Sequence, residues 1–70
     1  MYNIDILAKV DREITENLQV INLSKNYLSN IDLLNRFASL RKISAGYNYI
    51  PEVKLSLSKL VELDLRNNFL

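Results

Sequence analysis

Glu62 and Asp64 stand two residues apart in the stretch LVELDLRNN, and in a strand that spacing puts both carboxylates on one face. Paired carboxylates can do general acid–base work. Arg66 follows after two more residues, falls on the same face, and neutralises them more simply. The chain has no His and no Cys, so the commonest acid–base side chain, the thiolate nucleophile and the commonest metal ligands are all missing. Its one glycine, Gly46, does not make a phosphate loop, which needs several. The serines have no evident base to activate them. No acidic run has a calcium or magnesium spacing. The expectation is a chain that is not an enzyme and uses no metal or cofactor. The chemistry left to it is recognition, and the residues suited to that are tyrosines, asparagines and paired charges.

The asparagines recur at fixed places. LQVINLSKN (18–26) returns as LRKISAGYN (40–48) and again as LVELDLRNN (60–68), at spacings of 22 and then 20 residues. In register the apolar columns are Leu18, Leu40, Leu60; Ile21, Ile43, Leu63; and Leu23, Ala45, Leu65. The polar column is Asn26, Asn48, Asn68, followed two residues on by Leu28, Ile50, Leu70. Alternation in each copy sends one set of side chains inward and the other outward, as in a strand. A unit this short cannot bury its own apolar residues and must stack on a neighbour. The expected strands lie near Val20–Leu23, Lys42–Ala45 and Glu62–Leu65 and pair in parallel. Where the chain leaves each strand its backbone groups lose ladder partners, and an inward Asn amide can donate to and accept from them. Asn26 and Asn48 are therefore expected to be buried and bonded to backbone, with Asn68 as the third rung.

This pattern resembles the leucine-rich repeat, L-x-x-L-x-L-x-x-N-x-L, over residues 18–70. The length of the first unit and its Ile31, Leu34, Phe37 outer arc resemble the 22-residue class typified by a regulatory subunit of protein phosphatase 1. Ala45 stands where a larger apolar residue is usual, and the second unit is shortened. The resemblance implies an α/β fold: a short right-handed solenoid with parallel strands on the concave face and short helices or 3-10 turns on the convex face. It also implies a non-catalytic module that binds another protein through the concave face, as a regulatory or scaffold subunit. The residues placed there are Val20, Asn22, Ser24, Lys25, Lys42, Ser44, Tyr47, Glu62, Asp64, Arg66 and Asn67. Tyr47 is the best anchor, since tyrosine offers area with little entropy to lose. Gly46 beside it is expected to leave room for a partner to approach.

The expected organisation is an N-terminal cap or degenerate repeat over 1–17, full repeats over 18–39 and 40–59, and a partial third over 60–70. Ile4, Leu7, Ala8 and Ile14 share a side of a helical wheel, with Val10 at its edge and Asp11 intruding. The rival reading aligns Asp5 and Leu7 with Asn26 and Leu28 as the tail of an earlier repeat. A helical turn is expected within Ile31–Phe37, with Ser29 and Asp32 as a loose capping box. Pro51 opens a second arc with less helix, Val53 and Leu57 pointing inward.

Nine basic and eight acidic residues give a net charge of +1, which steers the chain to no polyelectrolyte. Arg36, Arg41 and Lys42 cluster, and Tyr27, Tyr47 and Tyr49 could stack on bases, but a near-neutral total disfavours nucleic acid. No apolar run reaches a membrane span, and the N-terminus lacks a signal-peptide pattern, which favours the cytoplasm or nucleus. For that reason the glycosylation acceptor at Asn22 is discounted. Tyr27, Tyr49 and Phe69 each follow a ladder Asn and are expected to line one edge within ring contact. Leu60, Leu63, Leu65 and Leu70 have no following unit, so the 70-residue chain is expected to self-associate there or to be a fragment of a longer repeat protein.

Overall fold

A computed structural model describes residues 10–70, and the expectations for Ile4, Asp5, Leu7 and Ala8 lie outside the described residues. The described chain is α/β: one short helix, one 3-10 helix and a three-stranded parallel sheet. The strands are β1 (Val20–Asn22), β2 (Lys42–Ser44) and β3 (Glu62–Asp64), in that order across the sheet. Their register pairs Val20 with Lys42 and Glu62, Ile21 with Ile43 and Leu63, and Asn22 with Ser44 and Asp64. These rows are the columns of the sequence alignment.

Parallel strands need crossovers, and the two differ. Between β1 and β2 runs a 3-10 helix, Asp32–Arg36, inside the expected Ile31–Phe37 window. The three-residue spacing of Ile31, Leu34 and Phe37 matches a 3-10 turn, and all three are fully buried. The expected capping box is not what starts it. The N-cap is Ile31 without a side-chain bond, and Asn30 Oδ1 accepts the Asp32 N–H at 2.8 Å. Asp32 instead turns across the chain, where its Oδ1 accepts the Lys54 N–H at 3.3 Å. Between β2 and β3 the chain runs without helix over 51–57 and turns at 58–59. Val53, Leu55 and Leu57 are half-buried against the core while Glu52, Lys54, Ser56 and Ser58 are exposed, a period of two. Asn35 fastens the two arcs together: its Nδ2 donates to the Lys54 carbonyl at 2.9 Å and its Oδ1 accepts the Ser56 N–H at 2.7 Å.

The core is Leu28, Ile31, Leu34, Phe37, Leu40, Ile43, Ala45 and Ile50. Half of it comes from the outer part of the first unit and half from Leu40, Ile43, Ala45 and Ile50 of the middle unit, all four at 0% exposure. Helix α1 (Arg12–Asn17) leads directly into β1, and the Ser39 hydroxyl donates to the Glu16 carbonyl. Its packing corrects the expected apolar face, since Ile14 is 44% exposed and Thr15 is buried. A six-residue helix turns one narrow side inward, and Thr15 fits there because its hydroxyl donates to the Arg12 carbonyl at 3.1 Å. Among the described residues no helix is long and apolar enough to cross a membrane.

Candidate protein-binding face

Ile21, Ile43 and Leu63 alternate with Val20, Asn22 and their counterparts, so the second set emerges on the opposite side of the sheet from the core. Val20 is 57% exposed at one side of that face. In the same row Lys42 Nζ and Glu62 Oε2 pair at 3.0 Å, with both side chains about half exposed. The next row ends the strands. Asn22 Oδ1 accepts the Ser24 N–H at 3.0 Å, and Asp64 Oδ1 accepts the Arg66 N–H at 3.1 Å. Both are Asx turns, in which the side chain satisfies its own backbone two residues on. Asp64 Oδ1 also accepts Arg66 Nε at 3.1 Å. The Arg66 backbone N–H, and then its guanidinium, hold the Asp64 carboxyl below the usual aspartate range. Glu62 and Asp64 thus each have a cationic partner. Ser44, in the same row as Asn22 and Asp64, and Ser24, two residues past Asn22, are half-buried, while Lys25, Tyr47 and Asn67 are exposed beyond the strand ends.

Lys25, Tyr47 and Asn67 occupy the same place in each unit and share a left-handed backbone, with φ of 61°, 57° and 58°. Asparagine tolerates that region, whereas an aromatic residue there costs about 1–2 kcal/mol. Tyr47 is held in place because its N–H donates to the Arg66 carbonyl at 2.9 Å. The ring remains 50% exposed, with Lys25 Nζ 5.5 Å from its centroid, a cation–π geometry.

The space expected at Gly46 is already occupied. A Cβ there would meet Arg66 Cγ at 3.1 Å and the Arg66 carbonyl oxygen at 3.2 Å. Gly46 is buried, and its missing side chain lets the β3 side approach rather than a partner.

The asparagine column holds in two of three places. Asn48 is 4% exposed. Its Oδ1 accepts the N–H groups of Asn26 and Leu28, each at 2.9 Å. Its Nδ2 lies within 3.0–3.1 Å of the carbonyls of Leu23, Ala45 and Gly46. Asn68 repeats the arrangement one unit on, accepting from Ile50 N–H at 3.0 Å and donating to Ala45 and Leu65 carbonyls at 3.0 Å. Each amide therefore reaches back to the preceding unit. Asn26 breaks the expectation, being exposed with its Nδ2 bonded to the Ser24 carbonyl of its own turn at 3.1 Å. No earlier unit lies on that side among the described residues, so its amide has no second loop to span.

The aromatic column is in contact as expected. Tyr27 and Tyr49 stack with centroids 6.0 Å apart, and Tyr49 meets Phe69 at 5.4 Å with the rings tilted. Asn30 and Asn35 have no part in the pattern read from the sequence, and Asp32 enters it only as half of the capping box that does not form. Asn30 carries a local signal, an Asx side chain that accepts from the N–H two residues on, but Asn35 meets residues 19 and 21 positions away and carries none. Among the described residues no three acidic side chains converge as a metal site would need. In comparisons with protein families, with curated proteins and with solved structures, nothing matches this chain.

Proposed function

We propose that the chain is a short leucine-rich-repeat arc that acts without catalysis, binding a partner protein through its outward strand face, the concave side of such an arc, in the cytoplasm or nucleus. The observation that carries this reading is Tyr47. It combines an unfavourable backbone, φ 57°, with a half-exposed ring on the middle unit and a lysine over its face. Glycine would be at ease in that left-handed backbone, and the half-exposed ring and its Lys25 contact return only part of what tyrosine costs there. A rigid amphipathic anchor for another protein gives that residue a purpose. Val20 supplies apolar area at the other end of the same face, and the Lys42–Glu62 and Asp64–Arg66 pairs supply a polar border.

Two measurements test it. Tyr47→Gly should raise the stability of the isolated chain by about 1 kcal/mol, because it removes the strained aromatic backbone. A photo-crosslinking residue at Ser44 should capture a partner that the same residue at Ser58, on the other side, does not. With that partner purified, Tyr47→Gly should weaken binding at least about tenfold, as loss of a hot-spot anchor does. Capture from Ser58 alone, or equal affinity of the Tyr47→Gly variant, would overturn the reading.

A further inference from the structure

The backbone of β3 carries a self-complementary edge. In β2 the carbonyl of Arg41 and the N–H groups of Ala45 and Tyr47 turn toward β3, where they bond Val61 and Glu62, Asp64, and Arg66. By register their counterparts in β3 are Val61, Leu65 and Asn67, with Leu63 between them. Residues of even number, Glu62, Asp64 and Arg66, face β2, so the odd set faces away from the sheet. No strand pairs with that edge among the described residues. The side chains around it include the three most exposed apolar groups among the described residues, Val61 at 79%, Leu70 at 65% and Phe69 at 64%, with Leu63 at 38%. An open edge with apolar flanks recruits another strand.

We infer that this edge pairs with its own copy, β3 against β3 antiparallel, about a two-fold axis through Asp64. Three observations select that occupant and register. The axis maps the four outward positions onto one another: Leu63 and Leu65 exchange both backbone bonds, and the Asn67 N–H meets the Val61 carbonyl, the Val61 N–H being held by the Arg41 carbonyl at 2.8 Å. Register through Leu63 would leave Asn67 outside the paired set. On the outward face the same axis sets Glu62 of one copy opposite Arg66 of the other, twice, and opposite charges directly across a pair attract. The axis through Leu63 would instead set Glu62 against Asp64. The cost is the Asp64 pair on the axis, tempered because each carboxylate already accepts from its own Arg66. The β1 side is a poorer choice, since α1 leads straight into it and Val10 and Leu18 pack on the core there. Pairing at β3 also closes as a two-fold dimer, while β3 onto β1 would grow without end. The result is a six-stranded sheet whose outward face runs across both copies. The inference rests on the sheet and is independent of which face binds a partner protein.

The test uses the 70-residue chain, which has no cysteine of its own. On the axis Asp64 meets its symmetry mate at a non-hydrogen-bonded position, where Cα atoms lie about 4.5 Å apart, within disulfide range. With oxidised glutathione as the oxidant, Asp64→Cys should yield a covalent dimer faster than Leu63→Cys. Light scattering should show mass rising from one chain to two with concentration, and no further. Glu62→Arg alone should weaken the dimer about tenfold or more, and Glu62→Arg with Arg66→Glu should restore it. Asp64→Asn keeps the turn acceptor that Asn22 provides in β1 and removes the like-charge contact, so it should tighten the dimer up to about fivefold. Circular dichroism checks that each variant is folded. A monomer at all concentrations, faster cross-linking at Leu63→Cys, or growth beyond two chains would overturn the inference. If Arg66→Glu fails to fold, the two cysteine variants and Glu62→Arg still decide it.

Discussion

The middle unit and the last unit share a pattern and differ in what surrounds them. Leu40, Ile43, Ala45 and Ile50 are all at 0% exposure, whereas Leu63 and Leu70 stand at 38% and 65%. Leu60 and Leu65 are half-buried against the core, so the last unit is not bare throughout, as its sequence implies. Ile43 and Leu63 are register partners, with near-equal hydrophobicity and the same place in the strand. Burial here is thus set by having a neighbour on both sides, which is the nearest-neighbour logic of stacked units. The asparagines obey it too. Asn48 spans two loops and is buried, while Asn26, with the same sequence context, bonds its own turn and is exposed.

The largest expected difference between the units is at the paired core positions. Ile43→Ala should cost about 2–5 kcal/mol, since it opens a cavity between two filled layers. A 70-residue chain has about 4–10 kcal/mol in total, so this variant should be largely unfolded at modest urea. Leu63→Ala should cost about 1 kcal/mol or less in dilute solution, because much of that side chain is already in water. Urea titration of the two variants decides it, and equal losses would remove the distinction.

Next in size is the asparagine pair. Asn48→Ala leaves buried backbone groups of two units unpaired and should cost about 1–3 kcal/mol. Asn26→Ala, at an exposed turn, should stay within about 0.5 kcal/mol. Thermal melts are enough to separate them.

The smallest effect is electrostatic and sharpens the contrast between the turn at Asn22 and that at Asp64. Arg66 lowers the Asp64 carboxyl below its ordinary value, so its contribution is present above the ordinary aspartate range. It fades only as pH falls through the depressed value. Asp64→Asn should therefore remove a shallow acid limb from the stability–pH curve while neutral-pH stability barely moves. Carbon-detected NMR titration of Asp64 should give a midpoint below that of an unstructured aspartate.

The strands, their order and their register were legible because three copies of one alternation leave little freedom. The aromatic column followed from the same register. What the sequence concealed depends on neighbours or on the far side of a loop. Gly46 reads as open space until Arg66 is seen lying 3.1 Å from where its Cβ would be. Ile14 sits on an apolar stripe by period, yet a six-residue helix turns Thr15 inward instead. Asn35 serves Lys54 and Ser56 across a crossover whose path no local signal gives. At the proposed binding face the residues were legible individually, but the left-handed backbone shared by Lys25, Tyr47 and Asn67 was not, since neither lysine nor tyrosine favours it.

Amide hydrogen exchange compares the two units most directly. In dilute solution, below the concentration at which mass rises, the Ala45 and Tyr47 N–H groups should be strongly protected, because they donate to the Asp64 and Arg66 carbonyls. Their register counterparts Leu65 and Asn67 face away from the sheet and should exchange at least about tenfold faster. Equal protection at the two sites, in chains shown to be single, would contradict the account that a unit's order comes from the neighbour stacked on it.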